Sequence, residues 1–400
     1  MLVGQVQSAR WESLAAEATL RDVVERLERE HPEAVRTRWV AKRQLAEALT
    51  LQTRRTEAID LLREVLSLQT ETLGPGHPEV GRTYRELAGP LARLRHYDEA
   101  EGAARSALSI LETVFGVDHP ETQRGRYELG SVLLRARREE QAIPILEAVV
   151  AIGDGSTGGT DLAVVEANNA LAVARGRQGD SEEAARLYRE ALTAAERRLG
   201  PGHEMPSMIR RNLSNRLATI GRRSEALELA REVRSLALEA ATNPFADPML
   251  LANNAWFLSW GADLEEARDL DAALILAERA VERSGGRWFY PLIALQDVHR
   301  ARGELDQAIA ASKRALALPD AQHLWGDEAL LVEMLVEAGD LDGAESFLRE
   351  HLERRRRLRG GEDSLVGHTR GLLGRILWLR GRLDEAAAEL QAALALLESA

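Results

Sequence analysis

The stretch from Ala58 to Ala100, AIDLLREVLSLQTETLGPGHPEVGRTYRELAGPLARLRHYDEA, decides the fold, because its closing Glu-Ala returns one period later. Alanines that follow Glu or Gln after a short polar turn stand at Ala58, Ala100, Ala142, Ala184 and Ala226, at one constant spacing (100 − 58 = 142 − 100 = 184 − 142 = 226 − 184 = 42). Thirteen residues before each lies a leucine, at Leu45, Leu87, Leu129, Leu171 and Leu213. The next residue is always small: Ala46, Ala88, Gly130, Ala172, Ser214. Nine before the alanine come Leu49, Leu91, Leu133 and Leu217, with Arg175 the exception; seven after it come Val65, Ala107, Val149, Ala191 and Val233. Helical periodicity gathers these offsets onto one face of each of two helices, and small residues belong where backbones approach closely. Each period therefore reads as helix A, a turn and helix B. The turns are polar: Gln52-Thr53-Arg54, Arg95-His96-Tyr97, Gln178-Gly179-Asp180 and Gly221-Arg222-Arg223.

A second motif joins one period to the next. Leu73-Gly74-Pro75-Gly76-His77-Pro78-Glu79 is matched by Phe115-Gly116-Val117-Asp118-His119-Pro120-Glu121, and by Leu199-Gly200-Pro201-Gly202-His203-Glu204 without the last proline. The expected physics is punctuation. Glycine closes helix B in a left-handed cap, and proline opens the next helix, where its missing N–H costs nothing. The acidic residue that follows suits the positive helix start.

Past residue 242 the period wavers. The equivalent alanines are Ala273, Ala308, Ala344 and Ala386, at gaps of 47, 35, 36 and 42 (273 − 226, 308 − 273, 344 − 308, 386 − 344). Turn signals persist at Gly303-Glu304-Leu305-Asp306, Gly339-Asp340-Leu341-Asp342 and Gly381-Arg382-Leu383-Asp384. Asn243-Pro244-Phe245-Ala246-Asp247-Pro248 marks a change of geometry, and a loop is expected around Gly261 to Asp271. Ahead of the array, Trp11 to Arg29 reads as a helix B without its helix A, with Ala16 in register one full period before Ala58 (58 − 16 = 42). The expected organisation is a capping or leftover helix over 1–38, the regular array over 39–242, an irregular aromatic-rich unit over 243–288, and shorter units over 289–400.

Composition fits this reading. Hydrophobic residues make up 45% and aromatics only 4%, enough for helices packed through Ala and Leu but not for a large sandwich or barrel. β-Branched residues seldom cluster, so the class is all-α. There is no cysteine, hence no disulfide staple and no cysteine-ligated zinc. Met1 to Arg10 lacks the apolar core of a signal peptide and no run is long enough for a membrane span, so the expected location is the cytoplasm, away from membranes. The formal net charge of −12 argues against a general nucleic-acid binder.

The leucine–small…alanine register resembles the tetratricopeptide repeat, and the period of 42 with Leu-Gly-Pro-x-His-Pro links is similar to the kinesin-light-chain type of that family. The resemblance covers residues 39–242; HEAT repeats, of similar length, carry neither feature. It implies a right-handed superhelical α-α solenoid of about nine helix pairs plus an N-terminal helix. It also implies that helix A of each unit lines a concave groove that holds extended or helical peptides. Carried over, the groove positions are Arg82, Arg85, Glu86 and Arg93; Arg124, Tyr127, Glu128 and Arg135; Glu166, Asn169 and Arg177; and Arg211, Asn212 and Asn215. Seven of these fourteen are arginine, in a chain that is acidic overall. Arginine offers forked donors to carboxylates, and asparagine can bond both the donor and the acceptor of a ligand backbone. Asn168-Asn169-Ala170-Leu171-Ala172 resembles the Asn-Asn-Leu-Ala run whose asparagines contact peptide in kinesin-light-chain repeats, with alanine at position 170. Arg211 with Asn215 matches one part of the carboxylate clamp of chaperone-binding members; the rest of the clamp has no counterpart.

Other features are read as structural. His77, His119 and His203 share a register, but equivalent positions in a solenoid lie about 10 Å apart, too far for shared ligation at about 2 Å, so they mark helix starts and no metal is expected. Gly153-Asp154-Gly155-Ser156-Thr157-Gly158-Gly159 lacks the Gly-Lys-Ser/Thr of a P-loop and falls in the linker slot, as a flexible turn. Arg354 to Arg357 with Arg359 read as a solvated helix end. Trp256, Phe257, Trp260, Trp288, Phe289 and Tyr290 are expected mostly as core, filling the gap where the geometry changes. No catalytic constellation or cofactor motif stands out. The expectation is a non-catalytic scaffold or adaptor for a protein or peptide, an acidic one where the arginines decide. A regulatory arm of a larger signalling protein, such as a Ser/Thr kinase, stands second; an enzyme with an unrecognised site stands third.

Overall fold

A computed structural model describes residues 17, 19–31, 33–51, 54–156, 162–261, 263–318, 325–359 and 364–398. Among the described residues the chain is helical throughout, with no β-strand. It divides into two compact units: the first runs to Phe245 and takes in Ala262–Ala267, and the second comprises Ala246–Gly261 and the chain from Arg268 onward.

The first unit opens with α1 (residues 19–30), followed by five antiparallel pairs. These are α2 (Val35–Leu51) with α3 (Arg55–Leu73), α4 (Pro78–Arg93) with α5 (Tyr97–Phe115), α6 (Pro120–Arg135) with α7 (Glu139–Ser156), α8 (Leu162–Arg177) with α9 (Ser181–Leu199), and α10 (Glu204–Thr219) with α11 (Arg223–Thr242). The second unit holds four: α12 (Pro248–Trp256) with α13 (Leu270–Arg283), α14 (Phe289–Ala301) with α15 (Leu305–Leu316), α16 (Trp325–Glu337) with α17 (Leu341–Arg359), and α18 (Ser364–Leu379) with α19 (Leu383–Glu398). α12 runs on through a π-helical turn at Phe257–Gly261, and Glu265–Ala267 forms a short 3-10 turn within the expected loop. Nine tetratricopeptide-like pairs and a leading helix, counted among the described residues, are what the resemblance implied. Of the lone helix expected at Trp11–Arg29, residues 11–16 and 18 lie outside the described residues, as do Gln52 and Thr53 of the first turn and Thr157–Gly159. Gly153–Ser156, expected in a turn, continue α7.

The register residues build the core. Ala58, Ala100, Ala142, Ala184 and Ala226 are fully buried, and Leu45, Leu49, Leu87, Leu91, Leu129, Leu133, Leu213 and Leu217 pack in the same cluster. Burial of each such leucine stabilises by roughly 1.5–3 kcal/mol. The small residue of helix A faces helix B: a Cβ on Gly130 would come within 2.6 Å of Leu146, and Ser214 Oγ donates to the Ala226 carbonyl at 2.8 Å. The second unit has its own cluster, through Leu292, Leu331, Leu335, Leu348, Leu373 and Leu377.

Helix ends differ from the reading in one respect. Gly74, Gly116 and Gly200 have φ of 84–85°, but ψ of 153–169°, so helix B closes into an extended conformation open only to glycine. The left-handed closure lies at the other end of the pair, where helix A turns into helix B. There His96 N–H donates to Leu91 O, and Arg138, Asp180 and Arg222 donate to Leu133, Arg175 and Leu217, the six-to-one bond of a Schellman cap. The positive-φ residue of each is Arg95, Arg137, Gly179 or Gly221. At the start of the next helix A, the Nδ1 of His77, His119 and His203 accepts from the N–H of Glu79, Glu121 and Met205 at 3.1–3.2 Å. The histidines are N-caps.

Candidate binding surface

Helix A positions that stand 18, 15, 14 and 7 before the register alanine (100 − 82, 100 − 85, 100 − 86, 100 − 93) form one stripe. Their spacings of 3, 4, 7 and 11 return to the same side of a helix. The stripe on α4 carries Arg82, Arg85, Glu86 and Arg93, and the stripe on α6 carries Arg124, Tyr127, Glu128 and Arg135. Ion pairs cross from one helix A to the next. Arg82 pairs with Glu79 on its own helix and reaches Glu121 of α6 at 3.3 Å, where Arg85 also reaches it at 3.2 Å. Arg43 of α2 takes Glu79 at 2.7 Å and Glu86 at 3.4 Å. The stripe of α2, α4 and α6 is therefore a shared arginine–glutamate lattice, and its arginines are not uniformly free.

Burial pushes the carboxyls of Glu86 and Glu128 up from the ordinary range, against the pull of Arg43 and Arg85 on the first and of Arg135, Arg85 and Arg93 on the second. Burial likewise raises the Tyr127 hydroxyl, with Glu166 and Glu128 adding to the shift. Arg124 and Arg135 are exposed, and neither makes an ion pair or hydrogen bond among the described residues. The side-chain carbonyl oxygens of Asn168 and Asn169 on α8 are buried and accept no hydrogen bond there. Acceptors left so are costly unless something supplies a donor.

The remaining expected residues sit apart. Arg177, at the end of α8, donates to the Leu134 carbonyl at 2.7 Å and pairs with Glu139 at 3.1 Å, which makes it a clamp between successive turns. Arg211 donates to Ser207 Oγ at 3.1 Å, and burial lowers its pKa to about 10. Asn215 Oδ1 accepts from the Asp263 N–H at 3.3 Å, while Asn212 is half-buried. One participant was missed: Arg43 stands as far before Ala58 as Arg85 stands before Ala100 (58 − 43 = 100 − 85), and extending the pattern one repeat backward finds it. It borders a cavity of about 330 Å³ lined by Arg36, Trp39, Val40, Gln44, Glu47 and Glu79.

Two structural expectations need correction. Of the six aromatics, expected mostly as core with any exposed remainder a sticky patch, Phe257 and Phe289 are buried and Trp288 is half-buried, but Trp256, Trp260 and Tyr290 are 41–49% exposed. Trp260 is held outward by its Nε1 donating to the Asp297 carbonyl at 2.7 Å and by the Arg300 guanidinium 5.8 Å from its ring. The arginine run of α17 is not simply solvated. Arg354 donates to the carbonyls of Leu316, Ala317 and Leu318, and Arg355 is buried against Glu328 of α16 at 2.9 Å and Thr369 of α18 at 2.8 Å. His351 sits beside this pair, 3.8 Å from Glu328, with burial lowering its pKa to about 4. Among the described residues no three His, Asp or Glu side chains gather as a metal site, and no helix is long and apolar enough to cross a membrane.

A family model for the tetratricopeptide repeat matches residues 37–113, 121–197, 163–239 and 327–399. No curated protein matches the chain. Among solved structures, a Podosopora anserina kinesin light chain of nearly identical TPR-like repeats is 24% identical over 54% of this chain and 99% of its own, with a TM-score of 0.45. BtubC (BKLC) of P. vanneervenii is 18% identical over 57% of this chain and 90% of its own, at 0.47. A Rap protein complexed with competence and sporulation factor is 14% identical over 78% of this chain and 81% of its own, at 0.51.

Proposed function

The chain belongs to the tetratricopeptide-repeat family, and on that footing we propose that it is a non-catalytic scaffold whose first unit holds a peptide or protein along the helix A stripe, in a groove lined by arginine and asparagine. Repeats of this family generally mediate protein–protein contacts, and the fold is typically non-catalytic. The observation that carries the reading is a pair of exposed guanidiniums on the stripe of α6: Arg124 and Arg135 make no ion pair or hydrogen bond among the described residues. The carboxylates of an extended segment suit them. The Rap protein, solved holding competence and sporulation factor, supports the idea that an array of this fold can carry a ligand.

Capture from a host lysate, compared between the wild-type chain and Arg124→Glu/Arg135→Glu, tests this. Each charge-assisted bond contributes about 1.5–3 kcal/mol, so the double reversal is expected to cost at least about tenfold in retained partner. Both side chains are exposed, and the circular dichroism of the variant should be unchanged. Equal capture by the two proteins sinks the reading.

A further inference from the structure

The last pair of the second unit departs from the burial pattern of the earlier pairs. At four residues past the register alanine, Leu62, Leu146 and Leu348 are at most 3% exposed; at eight, Leu192, Leu316 and Leu352 at most 9%; at eleven, Leu111 is fully buried. The same positions in α19 are Leu390, Leu394 and Leu397, exposed by 46, 57 and 41%. Leu383, at the position where Leu305 and Leu341 pack onto the core, is 60% exposed, and so is Trp378 of α18, whose counterparts Ala92 and Leu134 are buried. Within each unit the cover of helix B is the next helix A, as α6 covers α5 and α18 covers α17. The open strip thus continues the interface that runs through the array, and an amphipathic helix is what fits it.

The strip is also its own complement. Leu383, Leu390 and Leu397 are spaced by seven and symmetric about Leu390 (390 − 7, 390 + 7). An antiparallel copy of α19, related by a two-fold axis at Leu390, sets Leu383 against the second copy's Leu397. The same axis brings Leu394 over the second copy's Ala387, which is small and exposed, while Ala386 beside it stays in the core; Arg382 is held by Glu345 and Glu385 of its own chain. The exposed leucines find matching apolar partners in one isologous arrangement.

We propose that two copies of this chain pair through the C-terminal face of the second unit, α19 against α19. The helix has 16 residues, about 24 Å, so the contact is small for a specific dimer and the association is concentration-dependent. Sedimentation equilibrium of the 400-residue chain is expected to show a monomer–dimer equilibrium, weakened at least tenfold by Leu394→Glu with helicity unchanged. The chain has no native cysteine, which allows a register test that does not depend on that variant folding. Leu390→Cys should cross-link to itself under mild oxidation; Leu383→Cys should cross-link with Leu397→Cys and not with itself. A chain that stays monomeric at every concentration overturns the proposal, as when this face serves another protein's helix or sequence that follows it. So does a dimer that Leu394→Glu leaves intact, or one in which the cysteine pairs do not form.

Discussion

Arg95 and Arg137 sit where Gly179 and Gly221 sit in the two following pairs, one period apart in each step (137 − 95 = 179 − 137 = 221 − 179), with φ of 68° and 61°. A side chain in that region costs roughly 1–2 kcal/mol per residue. Arg95→Gly and Arg137→Gly are therefore each expected to stabilise the chain by about 1 kcal/mol in chemical denaturation, less what glycine loses in unfolded-state entropy. A neutral or destabilising result would mean that the arginine side chains contribute more than the backbone strain takes away. At this scale the sequence was only partly legible. Turn glycines were visible as turns, but Arg95 and Arg137 hide the same backbone under an ordinary side chain. The arginines of the stripe were found by register, whereas Glu79 and Glu121, their carboxylate partners, were read only as helix-start residues. Which residues share a carboxylate depends on rotamers, and periodicity carries no rotamers.

Among the elements, α16, α17 and α18 are tied by buried charge. Glu328 is fully buried, and desolvation keeps its carboxyl above the usual range despite Arg355 at 2.9 Å. His351 is 5% exposed, stacks on Phe347 with centroids 5.3 Å apart, and stays neutral down to about pH 4 instead of its ordinary 6.5. The unfolded chain takes up that proton below 6.5 and the folded chain does not, so the neutral ring favours folding above 6.5, and that contribution drains away as pH falls toward 4. At pH 5 the loss is about 2 kcal/mol; Glu328, shifted upward, works weakly the other way. Melting at pH 7 and pH 5 should show a drop for the wild type and a flatter response for His351→Leu. Equal drops would remove His351 from the account. Leucine periodicity placed these three helices, yet nothing in it said that the run from Arg354 to Arg357 turns one member inward. The exposed Trp256, Trp260 and Tyr290 escaped for the same reason: aromatic content signals a core until a specific bond, here Trp260 to the Asp297 carbonyl, holds a ring outside it.

Across the molecule, the first unit repeats several of its joints as well as its core. Arg21 to Glu57, Arg43 to Glu79, Arg63 to Glu99, Arg85 to Glu121 and Arg189 to Glu225 are all ion pairs across a separation of 36 in the chain, at 2.5–3.2 Å. Each is a surface pair of small individual worth; their common spacing is what matters. Removal of Ala58–Glu99, one whole period, rejoins Glu57 to Ala100 and so restores a Glu-Ala junction, keeps Arg21 with Glu57, and puts Glu121 where Arg43 now meets Glu79. The shortened chain is expected to keep its helicity per residue and to melt cooperatively at a lower temperature, as nearest-neighbour energetics require. Loss of helicity per residue would show that the joints are not equivalent.

The five pairs of common spacing carry a consequence for descent. A gene that gains or loses the period Ala58–Glu99 hands Arg21 and Arg43 a glutamate in the place where each already reaches. Length then becomes a dial that duplication and deletion can turn without a rescue mutation, and the reach of the scaffold along a partner can change in steps of one helix pair.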